Sequence, residues 1–243
     1  MSRSPSIPVT EYVNQTFVPL SHLSTGWEMH SAVLLSPAEE RAMLREPVQA
    51  VPSRLVERLG KVRILVVPYL ACHESGDEVA FEKPQGEKHS SVWLERQGQI
   101  DLLLSCRDLD AHDTGFELLA TLAELTRARL TSEELGRFTR LLEQELEQNI
   151  QGEIDEEARE AKQSLRERRR SSRPTNLFES YRDVAFTSTL AEYLHGLWHD
   201  VQIRVGPNHL PVAALRQRMT LMAELFPPNP GCQVFSEELE KYV

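Results

Sequence analysis

The sequence predicts an α+β protein: a small antiparallel sheet in the first half, followed by a mainly α-helical second half. Three observations carry that expectation. Apolar, β-branched runs of strand length are concentrated between residues 62 and 105. A Gln97-Gly98 pair separates two of those runs, as a hairpin turn would. Beyond residue 114 the apolar positions recur at helical rather than alternating spacing.

Residues 1–30 read as an irregular arm, because Pro5, Pro8 and Pro19 interrupt any helix while Tyr12, Phe17 and Val18 can dock on a core. Ser36-Pro37-Ala38-Glu39 is a capping box that starts a short helix, which Pro47 should end. A second short helix is expected from Ser53 to Leu59, with Gly60 as its stop. The run 62–70 is a buried strand, and 90–95 with 99–105 form the hairpin around Gln97-Gly98. Between them, 75–89 is a polar loop with room for a short strand at 79–81.

Helices follow. Phe116, Leu119, Leu122 and Ala123 mark one at 114–129, and Thr131-Ser132-Glu133-Glu134 is a second capping box. From there Leu135, Phe138, Leu142, Leu146, Ile150, Ile154, Ala158, Ala161 and Leu165 make one apolar stripe, so a single long helix is expected, weakest at Gly152. Its spacing averages about 3.75 residues per step, which disfavours a left-handed coiled coil. Glu143, Glu145, Glu147, Glu153, Glu156, Glu157 and Glu160 read as its acidic, solvated face. The sign then reverses at Arg166, Arg168, Arg169, Arg170 and Arg173, a basic loop spanning 166–174. Further helices are expected at 176–201 and 211–226. The organisation predicted is an arm at 1–30, an α+β region at 31–130 and a helical region at 131–243.

Composition narrows the function classes. The 243 residues are 40% hydrophobic and 26% charged, ordinary for a globular chain. Cys72, Cys106 and Cys232 are odd in number and contain no Cys-x-x-Cys, so neither a disulfide framework nor a thiolate zinc ribbon is implied. With no signal-peptide pattern and no apolar run of about 18 residues, a cytoplasmic location is expected. A net charge of -10 argues against nucleic acid as a partner. No Gly-x-Ser-x-Gly, phosphate loop or Gly-x-Gly-x-x-Gly occurs, which removes the usual signatures of serine hydrolases and nucleotide-binding folds.

Three clusters stand out as candidate sites. Glu192, His195 and His199 are spaced to share one face of a helix, a carboxylate and two imidazoles suited to Zn, Fe or Mn. With Glu192 at zero, the histidines lie at about 300° and about 340°, nearly opposite the stripe of Phe186, Leu190, Leu194, Leu197 and Val201. Asp108, Asp110, His112 and Asp113 form a weaker metal candidate between a strand and a helix, where Asp113 or Thr114 equally serves as a cap. His73-Glu74-x-x-Asp77 is a fragmentary match to a zinc-peptidase helix, set in a strand-then-loop context. Cys72 beside His73 does not make a nucleophile pair, since adjacent strand residues point to opposite faces.

These readings lead to a non-enzymatic interaction or regulatory protein acting through helical surfaces on a protein partner or a second copy of itself. The alternative is a metal-dependent hydrolase in which Glu192, His195 and His199 join a ligand from the Asp108 to Asp113 loop and a metal-bound water is the nucleophile.

Overall fold

The computed structural model describes residues 6–168, 175–199 and 204–233. The chain divides into two compact units, Met1–Gln49 with Val56–Thr121, and Ala50–Leu55 with Leu122–Val243. It is α+β: among the described residues, strands are confined to the first unit and long helices dominate the second. No helix among the described residues is long and apolar enough to cross a membrane.

The first unit holds two sheets. One is small and antiparallel, in the order β1 (Ser6–Pro8), β6 (Glu78–Ala80), β5 (Tyr69–Ala71), β7 (Lys88–His89). The other runs β2 (Ser21–His22), β3 (Glu28–Ser31), β4 (Lys61–Val67), β9 (Gln99–Ser105), β8 (Ser91–Arg96). In it β3, β4 and β9 are parallel, so this sheet is mixed. Strands buried on both faces read as continuous apolar runs, and Ile64, Leu65, Val66 and Val67 beside Leu102, Leu103 and Leu104 fit that rule. The edge strand β8 is only partly covered.

The β8–β9 hairpin turns at Gln97 and Gly98, both with positive φ (50° and 75°), the combination a type I′ turn requires. Residues 1–30 are not simply an arm. They contribute β1, α1 (Val9–Tyr12), β2 and most of β3, and bury Val9, Tyr12, Val13 and Phe17 against Leu65, Val67, Leu70, Val79 and Leu103. Val18, in contrast, is exposed.

At one end of the large sheet a buried carboxylate fastens this segment. Asp101 on β9 accepts from Arg63 Nε (2.8 Å), Arg96 (2.7 Å) and Gln99 (2.9 Å). The two arginines also donate to the Val13 carbonyl, at 2.9 and 3.1 Å. Asp101 is enclosed, but Arg63 is 15% and Arg96 36% exposed, on the rim of an open cavity.

The Ser36 capping box forms and opens α2 (Pro37–Glu40). Pro47 does not stop the helical path. A π-turn at Arg41–Arg45, with Glu46 N–H on the Arg41 carbonyl, runs without a break into α3 (Glu46–Ala50), so Pro47 sits within the helical path. Then α4 (Ser53–Leu59) ends at Gly60, as the sequence predicts. The two-unit division falls inside α5 (Ala111–Arg127).

The second unit is built from α6 (Ser132–Glu147), α7 (Glu156–Arg168), α8 (Thr175–Trp198) and α9 (Val212–Leu225). The Thr131 capping box is present at the start of α6. The single helix expected over 131–165 is two helices. Asn149 takes a left-handed conformation (φ 56°) and Ile150 N–H reaches back to the Glu145 carbonyl, which closes α6. Asp155 then caps α7 through Ala158 N–H. A drift of the stripe above 3.6 residues per turn leaves one straight helix unable to keep its apolar positions on one side, and the break resets the phase. Central α8 contacts α6, α7 and α9, and α6 also contacts α9.

The α6–α7 connection is held from outside. Glu153 pairs with residues 208–210 through Glu153 N–H to Asn208 O and Leu210 N–H to Glu153 O. Gly152 (φ 73°) lies so close to this neighbour that an added Cβ would sit 2.1 Å from the His209 carbonyl oxygen. The basic segment expected at 166–174 begins inside α7, where Arg166 donates to the Ile150 carbonyl (2.8 Å). Its remainder, 169–174, lies outside the described residues.

Candidate functional site

Arg218 of α9 is completely buried, in a core otherwise made of Leu215, Met219, Met222 and their neighbours. Its guanidinium forks onto two carboxylates. Nε and Nη2 donate to Glu145 of α6 at 2.9 and 2.6 Å, and Nη1 and Nη2 donate to Glu153 at 2.7 and 2.9 Å. Lys162 of α7 adds a second cation, donating to Glu153 (2.8 Å) and to the Gly152 carbonyl (2.9 Å). The Tyr181 hydroxyl of α8 donates to Glu153 at 2.5 Å. Two positive and two negative charges therefore close on one another, and α6, α7, α8 and α9 each contribute a side chain.

The titration of each group follows from this closure. For Glu153 desolvation is the largest effect and acts to raise the carboxyl, but the charge and hydrogen bonds of Arg218 and then Lys162 overcome it and hold the group at about 2. Desolvation pulls the Lys162 ammonium down, opposed by Glu153. Desolvation pushes the Tyr181 hydroxyl up, so it stays a donor at neutral pH. On Arg218, desolvation is outweighed by Glu153 and Glu145, and the guanidinium remains charged. Glu153 therefore stays ionised and Arg218 charged at neutral pH, and their mutual attraction ties α9 to the α6–α7 connection.

What the clamp holds is a groove. Arg137, Arg140, Leu141 and Gln144 follow one another along α6 at helical spacing. They face Arg216, Gln217, Thr220, Leu221 and Glu224 of α9 across a cavity of about 470 Å³. Three arginines meet one glutamate there, and Arg137 pairs with that glutamate, Glu224. The Glu145–Arg218 bridge joins the same two helices.

The residues singled out from sequence fall elsewhere. Glu192 of α8 lines a small cavity of about 30 Å³ with Glu153, Arg204, His209 and Leu215. Desolvation raises its carboxyl, with Arg204 acting the other way. His195 is buried. It is 8% exposed, its ring edge-on to Trp198, because α8 is central and covered on most sides. His199 is exposed, with its ring 4.1 Å from that of Trp198 and 5.8 Å from that of His195.

Among the described residues, two groups of three bring metal-ligating atoms within 4.8 Å of one another: Cys72, Asp77 and His89, and Asp110, His112 and Asp113. Glu192, His195 and His199 are not such a group. Asp110 caps α5 by accepting from Asp113 N–H (2.8 Å), a role expected of Asp113 or Thr114, and Asp108 is taken up by Lys88 (2.8 Å) and Lys83 (3.6 Å). His73 lies 3.8 Å from Glu78 in the loop after β5, and Asp77 lies 3.3 Å from His89. Desolvation, then the charges of Glu87 and Asp77, push the Cys72 thiol up.

The four charged members of the clamp escape a reading based on composition of faces, yet the three on helices each carry a positional signal. Glu145 follows Leu142 by three and Phe138 by seven. Lys162 lies four after Ala158 and three before Leu165, and Arg218 lies three after Leu215 and four before Met222. Each stands where the apolar stripe expects a hydrophobe.

The chain matches no family model, no curated protein and no solved structure.

Proposed function

We propose that this is a non-enzymatic interaction protein whose α6/α9 groove receives an acidic segment of a protein partner, a second copy of the chain included. The observation that carries the reading is a cavity of about 470 Å³ with three arginines against one glutamate, in a chain whose net charge is -10. A guanidinium matches a carboxylate in a planar, two-bond fork, so an arginine-lined groove selects acidic side chains. Half-buried Leu141 and buried Leu221 add an apolar floor on which a partner's hydrophobic residue anchors. The buried bridge between the two helices fixes their separation in advance, which lowers the ordering cost of binding. Overall negative charge repels a polyanion, so a short acidic peptide suits the groove better than nucleic acid.

The hydrolase alternative has less support, since His195 is packed against Trp198 and no third donor among the described residues converges with the two histidines. The test is fluorescence anisotropy with a fluorescein-labelled peptide of alternating Glu and Leu pairs, and with its Lys counterpart. The Glu peptide should bind, more weakly as salt rises, and Arg140→Glu combined with Arg216→Glu should abolish binding while the thermal melt is kept. Equal binding by the charge-reversed variant, or a preference for the Lys peptide, would sink the reading.

A further inference from the structure

The small antiparallel sheet of the first unit collects three unlike donors at one end. Its register pairs Ala71 of β5 with Glu78 of β6 on one side and with Lys88 of β7 on the other. One residue further along, Cys72 comes opposite Asp77, and Cys72 N–H extends the pairing by donating to the Glu87 carbonyl at 3.0 Å. His89, the partner of Leu70, is then diagonal to Cys72 on the same face. Side chains opposite or diagonal across antiparallel strands are within reach of each other, and Cys72 Sγ, an Asp77 oxygen and a His89 ring nitrogen all lie within 4.8 Å. Asp77 is fixed from behind as well, since its carbonyl accepts Val9 N–H at 2.9 Å.

We propose that Cys72, Asp77 and His89 bind a divalent cation of the zinc class through one sulfur, one carboxylate oxygen and one imidazole nitrogen. Metal–ligand bonds of about 2.0–2.3 Å put tetrahedral donors roughly 3.3–3.8 Å apart. The Asp77–His89 pair, at 3.3 Å, is already there, and the Cys72 contacts need only small rotations of partly exposed side chains. Donor chemistry selects the ion: a thiolate with an imidazole disfavours magnesium and calcium, and the mixed S, N, O set suits zinc. Three protein ligands leave a fourth position for water or an exogenous donor. The site is built entirely from residues of the first unit and does not depend on the groove.

The test uses the full chain, stripped by chelation and kept reduced, titrated with Co²⁺ as the spectroscopic substitute and then with Zn²⁺. One equivalent of Co²⁺ should produce a near-ultraviolet thiolate-to-cobalt charge-transfer band that Zn²⁺ bleaches. Cys72→Ser should abolish the band, His89→Ala and Asp77→Asn should each weaken apparent Co²⁺ affinity about tenfold or more, and the His195→Ala, His199→Ala double variant should leave it unchanged. No band at stoichiometric Co²⁺, a band that survives Cys72→Ser through Cys106 or Cys232, or an affinity indifferent to both His89→Ala and Asp77→Asn would overturn the proposal.

Discussion

Asp101 at the end of the large sheet and Arg218 among the helices are each an enclosed charge gathering opposite partners, yet their surroundings differ in one respect. The arginines around Asp101 keep part of their surface in water, whereas Arg218, Glu145, Glu153 and Lys162 are all sealed. The first cluster is a rim fastening whose members can turn outward if it is broken. The second is a closed circuit, in which removal of one member strands the others in a medium that cannot solvate them. Enclosure of the partners, more than enclosure of the central charge, sets what each cluster is worth.

The largest effect should come from opening the closed circuit. Arg218→Met leaves two carboxylates with Lys162 alone, and should cost about 3–5 kcal/mol in chemical denaturation of the second unit. Adding Glu145→Leu restores charge balance, since Glu153 keeps Lys162 and Tyr181. The double variant should therefore be more stable than Arg218→Met, and a double variant no better than the single would show that stranded charge is not the reason for the loss.

Acid should open the same circuit without mutation. Glu153 has its folded carboxyl lowered from 4.5 to about 2, so its contribution is complete above pH 4.5 and is lost as pH falls from there towards 2. The loss is at most about 3 kcal/mol and is followed by circular dichroism and denaturant midpoints against pH. In Arg218→Met the carboxyl lacks its main partner, its folded value moves back up towards 4.5, and the loss between pH 4.5 and 2 should shrink or disappear. A loss of the same size in the two proteins would contradict the assignment.

The rim fastening should give the smallest change. Asp101→Asn keeps an acceptor near Arg63, Gln99 and Arg96, and the freed arginines reach water, so about 1–2 kcal/mol is expected from equilibrium unfolding of the first unit. A loss equal to that of Arg218→Met would erase the distinction between the clusters.

Legibility from sequence follows the same division. The sheet region is readable because its signals are local: Gln97-Gly98 sets the hairpin, and the continuous apolar run of β4 announces a strand covered on both faces. Its parallel partner β3 is not readable, since Glu-Met-His-Ser has neither alternation nor β-branched bulk, and its place depends on a neighbour 35 residues away in register. The helices are readable as helices, but their core is not. Glu145 belongs in appearance to an acidic surface, and only the position of Arg218 on another helix makes it an interior residue. The Cys72 cluster is hidden for a related reason. The neighbouring His73 turns to Glu78, and the useful histidine, His89, is brought in by strand pairing.

Gly152 shows how position can constrain a residue more than composition suggests. Its surroundings, polar and between two helices, have the look of a connection free to drift, yet the backbone of His209 occupies the space that any side chain would need. A saturation library at this position should return glycine almost alone, while exposed neighbours such as Gln151 accept many replacements. The second unit would then vary least at a point with no side chain at all, because the strand-like contact that steers Glu153 towards Arg218 passes through bare backbone.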